Sequence, residues 1–135
     1  MQLGMVGLGR MGANLTRRLL LAGHEVVAFD VSADAVERLA AEGATAATSL
    51  EDLVGKLGQP RAVWLMVPAA IAGPTADELA GLMETDDVIV DGGNSYYRDD
   101  LERAARYAQH GIRYVDVGTS GGVFGLEREI GRAHV

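Results

Sequence analysis

A repeated rhythm of short apolar run, turn and amphipathic stretch constrains this chain more than any other feature. Residues 2–7, 25–29, 62–67, 87–91 and 113–117 are apolar runs of strand length, and a shorter one lies at 44–46. Runs this continuous suit parallel strands covered on both faces, because a strand with one wet face would alternate. Amphipathic stretches fill the intervals. From Arg10 to Ala22, residues Met11, Leu15, Leu19 and Ala22 recur at helical spacing, and Gly23 is placed to end that helix in a left-handed conformation. Ser32 is suited to cap a helix reaching about Ala41, and Thr48 faces Glu51 across capping-box spacing. Pro74 suits a first helical position. Leu101, Ala104, Ala105 and Ala108 stripe a helix from about Tyr96 to Gln109. Strands alternating with helices predict an α/β domain built on a doubly wound parallel sheet.

The first turn narrows this further. Gly7-Leu8-Gly9-Arg10-Met11-Gly12 matches G-x-G-x-x-G. With 18 glycines in 135 residues the pattern alone is weak. Its position is not: it follows the first strand and opens the first helix of a βαβ unit of about 30 residues. Gly7 then permits the tight turn, Gly9 lets a diphosphate approach the backbone, and Gly12 lets helix and strand pack closely. The unpaired N–H groups of the helix start attract the negative charge. Asp30 ends the second strand, about 20 residues on, where an acid accepts from an adenosine ribose and repels a 2′-phosphate. No arginine follows at Val31, Ser32 or Ala33, so a Rossmann-type domain binding NAD rather than NADP is expected. Arg10, inside the phosphate loop, leaves another route to a phosphate open.

Composition removes several other functions. A net charge of −7 opposes nucleic-acid binding, which needs a basic face. Of 12 basic residues only Lys56 is a lysine, and the arginines are scattered, so a phosphorylated sugar acid would need a local positive cluster. No apolar run approaches the roughly 18 residues of a membrane span, and Met1–Val6 reads as a strand, not a signal peptide. The absence of cysteine excludes disulfides and thiol catalysis within this stretch and suits a reducing cytoplasm.

Two later motifs are more specific. Asp91-Gly92-Gly93-Asn94-Ser95-Tyr96-Tyr97 follows the fifth strand, and Gly118-Thr119-Ser120-Gly121-Gly122 follows the sixth. Both fall at the carboxyl ends of parallel strands, where such sheets bind ligands. Together with Val67-Pro68-Ala69 they resemble the decarboxylating 6-phosphogluconate dehydrogenases, in their shorter NAD-preferring branch, over residues 2 to about 128. The resemblance implies a cofactor contacted by the residues from Gly7 to Gly12, Asp30, Val67, Pro68 and Asn94. Asn94, Ser120, Gly121 and Gly122 would bind the substrate. It further implies oxidation of 6-phosphogluconate to ribulose 5-phosphate and carbon dioxide in the pentose phosphate pathway, by a full-length homo-oligomer.

In that family a lysine base and a glutamate acid carry the protons, downstream of Ser-Gly-Gly and beyond this stretch. No catalytic residue is therefore expected here. Lys56 reads as a surface residue between glycines, and His24 and His110 read as helix-end residues. Trp64 and Met66 read as packed strand residues, with Met66 near the cofactor edge. Glu127 has no base partner nearby in sequence. The expected layout is a dinucleotide-binding domain over 1–128, incomplete at its C-terminus, without the family's helical second domain. Residues 129–135 have neither alternation nor stripe, and one back-translation of them matches a common sequencing adapter, so they are expected to be foreign to the domain. Two alternatives remain open: a β-hydroxyacid dehydrogenase of the 3-hydroxyisobutyrate type, and a non-catalytic dinucleotide-binding module.

Overall fold

A computed structural model of the chain describes residues 1–93 and 97–117, with the backbone alone of 97–99. The elements run β1 (Gln2–Val6), α1 (Arg10–Leu21), β2 (Glu25–Phe29), α2 (Ala33–Ala41), β3 (Thr45–Ala46), α3 (Leu50–Gly55), β4 (Ala62–Leu65), α4 (Ala69–Leu82), β5 (Val88–Asp91), α5 (Tyr97–Ala108) and β6 (Arg113–Asp116). All strand pairs are parallel, in the order β3-β2-β1-β4-β5-β6. The doubly wound sheet expected from the sequence is present. The chain leaves β3 at one edge and returns beside β1 as β4, so the winding reverses between β1 and β4. A crevice opens at the carboxyl ends of strands where this happens.

Apolar residues fill both faces of the sheet. Leu3 and Met5 of β1 pack with Leu15, Leu19, Val36 and Leu39 of α1 and α2. Val6, Val63 and Leu65 pack on the other face with Leu53, Ala76, Leu79 and Tyr107 of α3, α4 and α5. Burial on both sides is why these strands read as continuous apolar runs. Gly23, at φ 90°, ends α1 as expected: its N–H donates to Leu20 and that of His24 to Leu19.

Four local expectations are corrected. Pro74 lies inside α4, which begins at Ala69. Pro68 supplies the start, its carbonyl accepting from the N–H groups of Ile71 and Ala72. An interior proline costs about 3 kcal/mol, which the burial of Ala72, Gly73, Ala76 and Leu79 offsets. The cap of α3 is Ser49, not Thr48. Its hydroxyl accepts from the Asp52 N–H, and Asp52, not Glu51, reaches back to the N–H of Thr48 at 2.9 Å.

The apolar stripe on α5 does not face inward. Leu101 is 55% exposed, whereas Asp100 and Tyr107 are buried. Hydrogen bonds turn that face in: Asp100 meets Tyr114, and the Tyr107 hydroxyl donates to Asp77. On α1, similarly, Ala22 is exposed and the buried face turns toward Gly12, Ala13 and Thr16. Among the described residues no helix is long and apolar enough to cross a membrane.

Candidate functional site

The turn from β1 into α1 is set by two steric facts. Gly7 has a φ of 99°, and a Cβ there would lie 2.5 Å from the Met66 carbonyl oxygen. A Cβ at Gly12 would lie 1.9 Å from the carbonyl oxygen of Gly7. Neither position accepts a side chain, because a backbone oxygen cannot move aside cheaply. Gly9 differs: it is the N-cap of α1 and a Cβ there would meet nothing within 4 Å. The helix start has no side-chain cap and no acidic residue in its first turn. It therefore presents backbone N–H groups to open space with the positive end of the helix dipole behind them.

Asp30 stands beside this turn. Its Oδ2 accepts the Leu8 N–H at 2.6 Å and its Oδ1 accepts the Ser32 N–H at 2.8 Å. The acid thus caps the turn after β2 and also holds the glycine loop. Each carboxylate oxygen retains a lone pair for a further donor.

These residues line one cavity of about 880 Å³ at the carboxyl ends of β1, β2, β4 and β5. Of the residues singled out in the sequence, Gly7, Gly9, Arg10, Met11, Gly12, Asp30, Val67 and Pro68 line it together, with Met66 beside them. Leu8 does not. Its side chain is 6% exposed in the core and its N–H is taken by Asp30. Asn94, Ser120, Gly121, Gly122 and Glu127 lie outside the described residues.

The cavity also has walls that sequence reasoning did not assign to it, though Gly92 and Gly93 belong to the motif singled out after the fifth strand. Val31, Thr48, Ser49 and Leu50 close one end, Ile71, Thr75 and Glu78 of α4 another, and Gly92 and Gly93 the side toward β5. Val31 is 93% exposed and Ile71 46%, which leaves apolar surface facing the cavity. A signal existed for the glycines. Their spacing after a strand is dictated by contact, since a Cβ at Gly92 would lie 2.3 Å from Trp64 Nε1 and one at Gly93 2.8 Å from the Val67 carbonyl.

The donor set fits a dinucleotide. Bare N–H groups and Arg10 suit a diphosphate, Asp30 suits vicinal hydroxyls, and the apolar rim suits a flat base. Lys56 does not line the cavity; it is bonded to the Ala46 carbonyl and paired with Asp52 at 3.0 Å. Among the described residues no cluster of His, Cys, Asp and Glu could hold a metal ion.

Comparison with known proteins agrees with this geometry. Residues 2–129 match the family model of the NAD-binding domain of 6-phosphogluconate dehydrogenase. The chain is 51% identical, over 94% of its length and 42% of the relative's, to an NAD-dependent decarboxylating 6-phosphogluconate dehydrogenase of Haloferax volcanii. It therefore spans less than half of that protein. Among solved structures, 6-phosphogluconate dehydrogenase of Plasmodium falciparum, described with NADP+ and with its substrate, superposes with a TM-score of 0.77 at 28% identity, covering 93% of this chain and 28% of that one. The 3-hydroxyisobutyrate dehydrogenase of Mycobacterium tuberculosis, described with L-serine, superposes with a TM-score of 0.82 at 25% identity, covering 98% and 49%. A Rossmann-type NAD(P)-binding fold, a bare helix start above Gly9 and a family match over nearly the whole chain converge: this chain belongs to the 6-phosphogluconate dehydrogenase family, through its NAD-binding domain.

Proposed function

We propose that the chain binds NAD, in preference to NADP, as the cofactor-holding part of a decarboxylating 6-phosphogluconate dehydrogenase. The observation that carries this is Asp30, anchored by two backbone N–H groups and facing the cavity beside the bare start of α1. A negative charge fixed there favours a ribose with free hydroxyls and disfavours a 2′-phosphate. The N–H groups after Gly9, with Arg10, Met11 and Gly12, hold the diphosphate. Val67 and Pro68 lie along the nicotinamide side, while Leu8 contributes through the loop that Asp30 fixes. The name of the Haloferax volcanii relative supports NAD.

When bound, the nicotinamide would supply a hydride acceptor for C3 of the sugar acid, while the proton of the C3 hydroxyl would leave to a base. The chain's own part is to orient that ring and to present Asn94, Ser120, Gly121 and Gly122 to the substrate's hydroxyls and carboxylate. Proton transfer belongs to a lysine and a glutamate outside residues 1–128, which we take as the extent of the domain, with 129–135 foreign to it. The whole protein is read as a cytoplasmic homo-oligomer. Calorimetric titration with NAD and with NADP tests the cofactor reading. Tighter binding of NAD supports it, and no heat with either cofactor would end it. The similarity in shape to a 3-hydroxyisobutyrate dehydrogenase favours a second reading, oxidation of a small β-hydroxyacid. Assay of a longer protein that includes this domain, on both substrates, separates the two.

A further inference from the structure

We propose that Tyr114 is a positioning residue for the cofactor site, its hydroxyl tying the end of β5 to α5. The proposal rests on the reading of the cavity as a dinucleotide site. Asp91 ends β5, Asp100 lies on α5, and Tyr114 comes from β6. The two carboxylates converge on one phenol: Tyr114 Oη lies 2.7 Å from Asp91 Oδ2 and 3.0 Å from Asp100 Oδ1. Asp91 is fully buried and Asp100 is 4% exposed. The phenol's one proton goes to either carboxylate or is shared between them as a bifurcated bond, and both acceptors lie within bonding distance, so the hydroxyl links the end of β5 to α5.

The connection continues to the cavity wall. Asp91 Oδ1 accepts the Gly93 N–H at 2.9 Å, which fixes the turn after β5. The turn is close-fitting: a Cβ at Gly92 would collide with Trp64 and Met66, and one at Gly93 with the Val67 carbonyl. Gly92, Gly93, Met66 and Val67 all line the cavity. Tyr114 therefore acts on the site through Asp91 without lining it. Burial, and then the bond to Asp91, hold the hydroxyl above the usual phenol range, so it stays a donor at every working pH. The ring is held separately, edge-to-face against Tyr107 with centroids 5.6 Å apart. Removing only the hydroxyl leaves that packing in place.

The chain carries one tryptophan, and it reports on this contact: Trp64 is 4% exposed and lies directly under Gly92. In the 135-residue chain, Tyr114→Phe is expected to weaken NAD binding about tenfold, the loss of one ordinary hydrogen bond. It is also expected to shift Trp64 emission to the red in the absence of cofactor. Tyr107→Phe is the control, because it removes a comparable buried phenol bond, to Asp77. It should lower the melting temperature while leaving NAD affinity and Trp64 emission as they were.

Unchanged affinity and emission in Tyr114→Phe, or equal losses in Tyr107→Phe, would overturn the proposal. If Tyr114→Phe fails to fold, amide exchange at Gly93 in the parent chain decides. Slow, sheet-like exchange supports the clamp, and exchange at an open-loop rate overturns it. The emission and exchange readouts need no cofactor. A parent chain that ignored NAD would thus end the proposed function while leaving these readouts to judge Tyr114.

Discussion

Asp30 holds Leu8: the carboxylate that ends β2 accepts the N–H of the residue inside the glycine turn at 2.6 Å. One side chain therefore shapes the glycine turn and sets the charge on the cavity wall beside it. Asp30→Asn should weaken NAD binding about ten- to a hundredfold, in keeping with a charge-assisted bond of roughly 1.5–3 kcal/mol. It should also narrow the preference for NAD over NADP, because the repulsion of a 2′-phosphate is gone. Paired calorimetric titrations check this, and an unaltered ratio of affinities would show that the acid does not select the cofactor.

Gly9 and Gly12 separate binding from folding. Alanine at 12 drives a methyl into the Gly7 carbonyl oxygen and should cost about 3 kcal/mol of stability. Alanine at 9 meets open space, and the φ of −65° there suits an L-residue, so stability should change by no more than about 0.5 kcal/mol. That methyl occupies the approach of the diphosphate, and NAD affinity should fall at least about tenfold. Denaturant midpoints and NAD titrations on the two variants read the contrast.

Asp87 marks the opposite end of the sheet. It is fully buried, accepts from the N–H groups of Arg61 and Glu84, and pairs with the Arg61 guanidinium at 3.1 Å. Asp87→Ala strands that cation in a site with 16% side-chain exposure and should destabilise by about 3–5 kcal/mol. The pair precedes β4 and β5 while the cavity lies after them, so affinity corrected for the folded fraction should not change. Urea melts with and without NAD test both halves.

The sheet was legible because its strands are buried on both faces and its glycines are steric necessities. Gly7, Gly12 and Asp30 could be read from spacing after a strand, and they line one cavity. The inward face of α5 could not. It is built from Asp100 and Tyr107, whose burial depends on partners on β6 and α4 that no helical period encodes. Pro74 misled for a related reason: the stop that begins α4 is the earlier Pro68, and packing of Ala72 and Ala76 carries the helix through the second proline. Thr75 and Glu78 reached the cavity by the same unread route, from a helix whose start the sequence puts five residues late (Pro74 against Ala69).

Alkaline behaviour follows from two phenols. Burial first, and then bonds to Asp77 and Asp91, raise the pKa values of Tyr107 and Tyr114 in the folded chain. A raised folded value means that each phenol's contribution is complete below the usual phenol pKa of about 10 and is lost as pH rises beyond it. Tyrosinate absorbance from these two residues should appear together with unfolding, not before it. Early, independent ionisation of Tyr114 in a still-folded chain would contradict the arrangement.

The near-collision between position 12 and the carbonyl of Gly7 has an evolutionary side. No sequence can explore side chains at 12 without redrawing the turn that precedes it, so this end of the cavity is locked as a unit. Val31, almost wholly in solvent at the other end, carries no such debt to its neighbours. Lineages descending from such a domain should therefore vary the chemistry of the cavity rim by drift, while the glycine turn stays frozen.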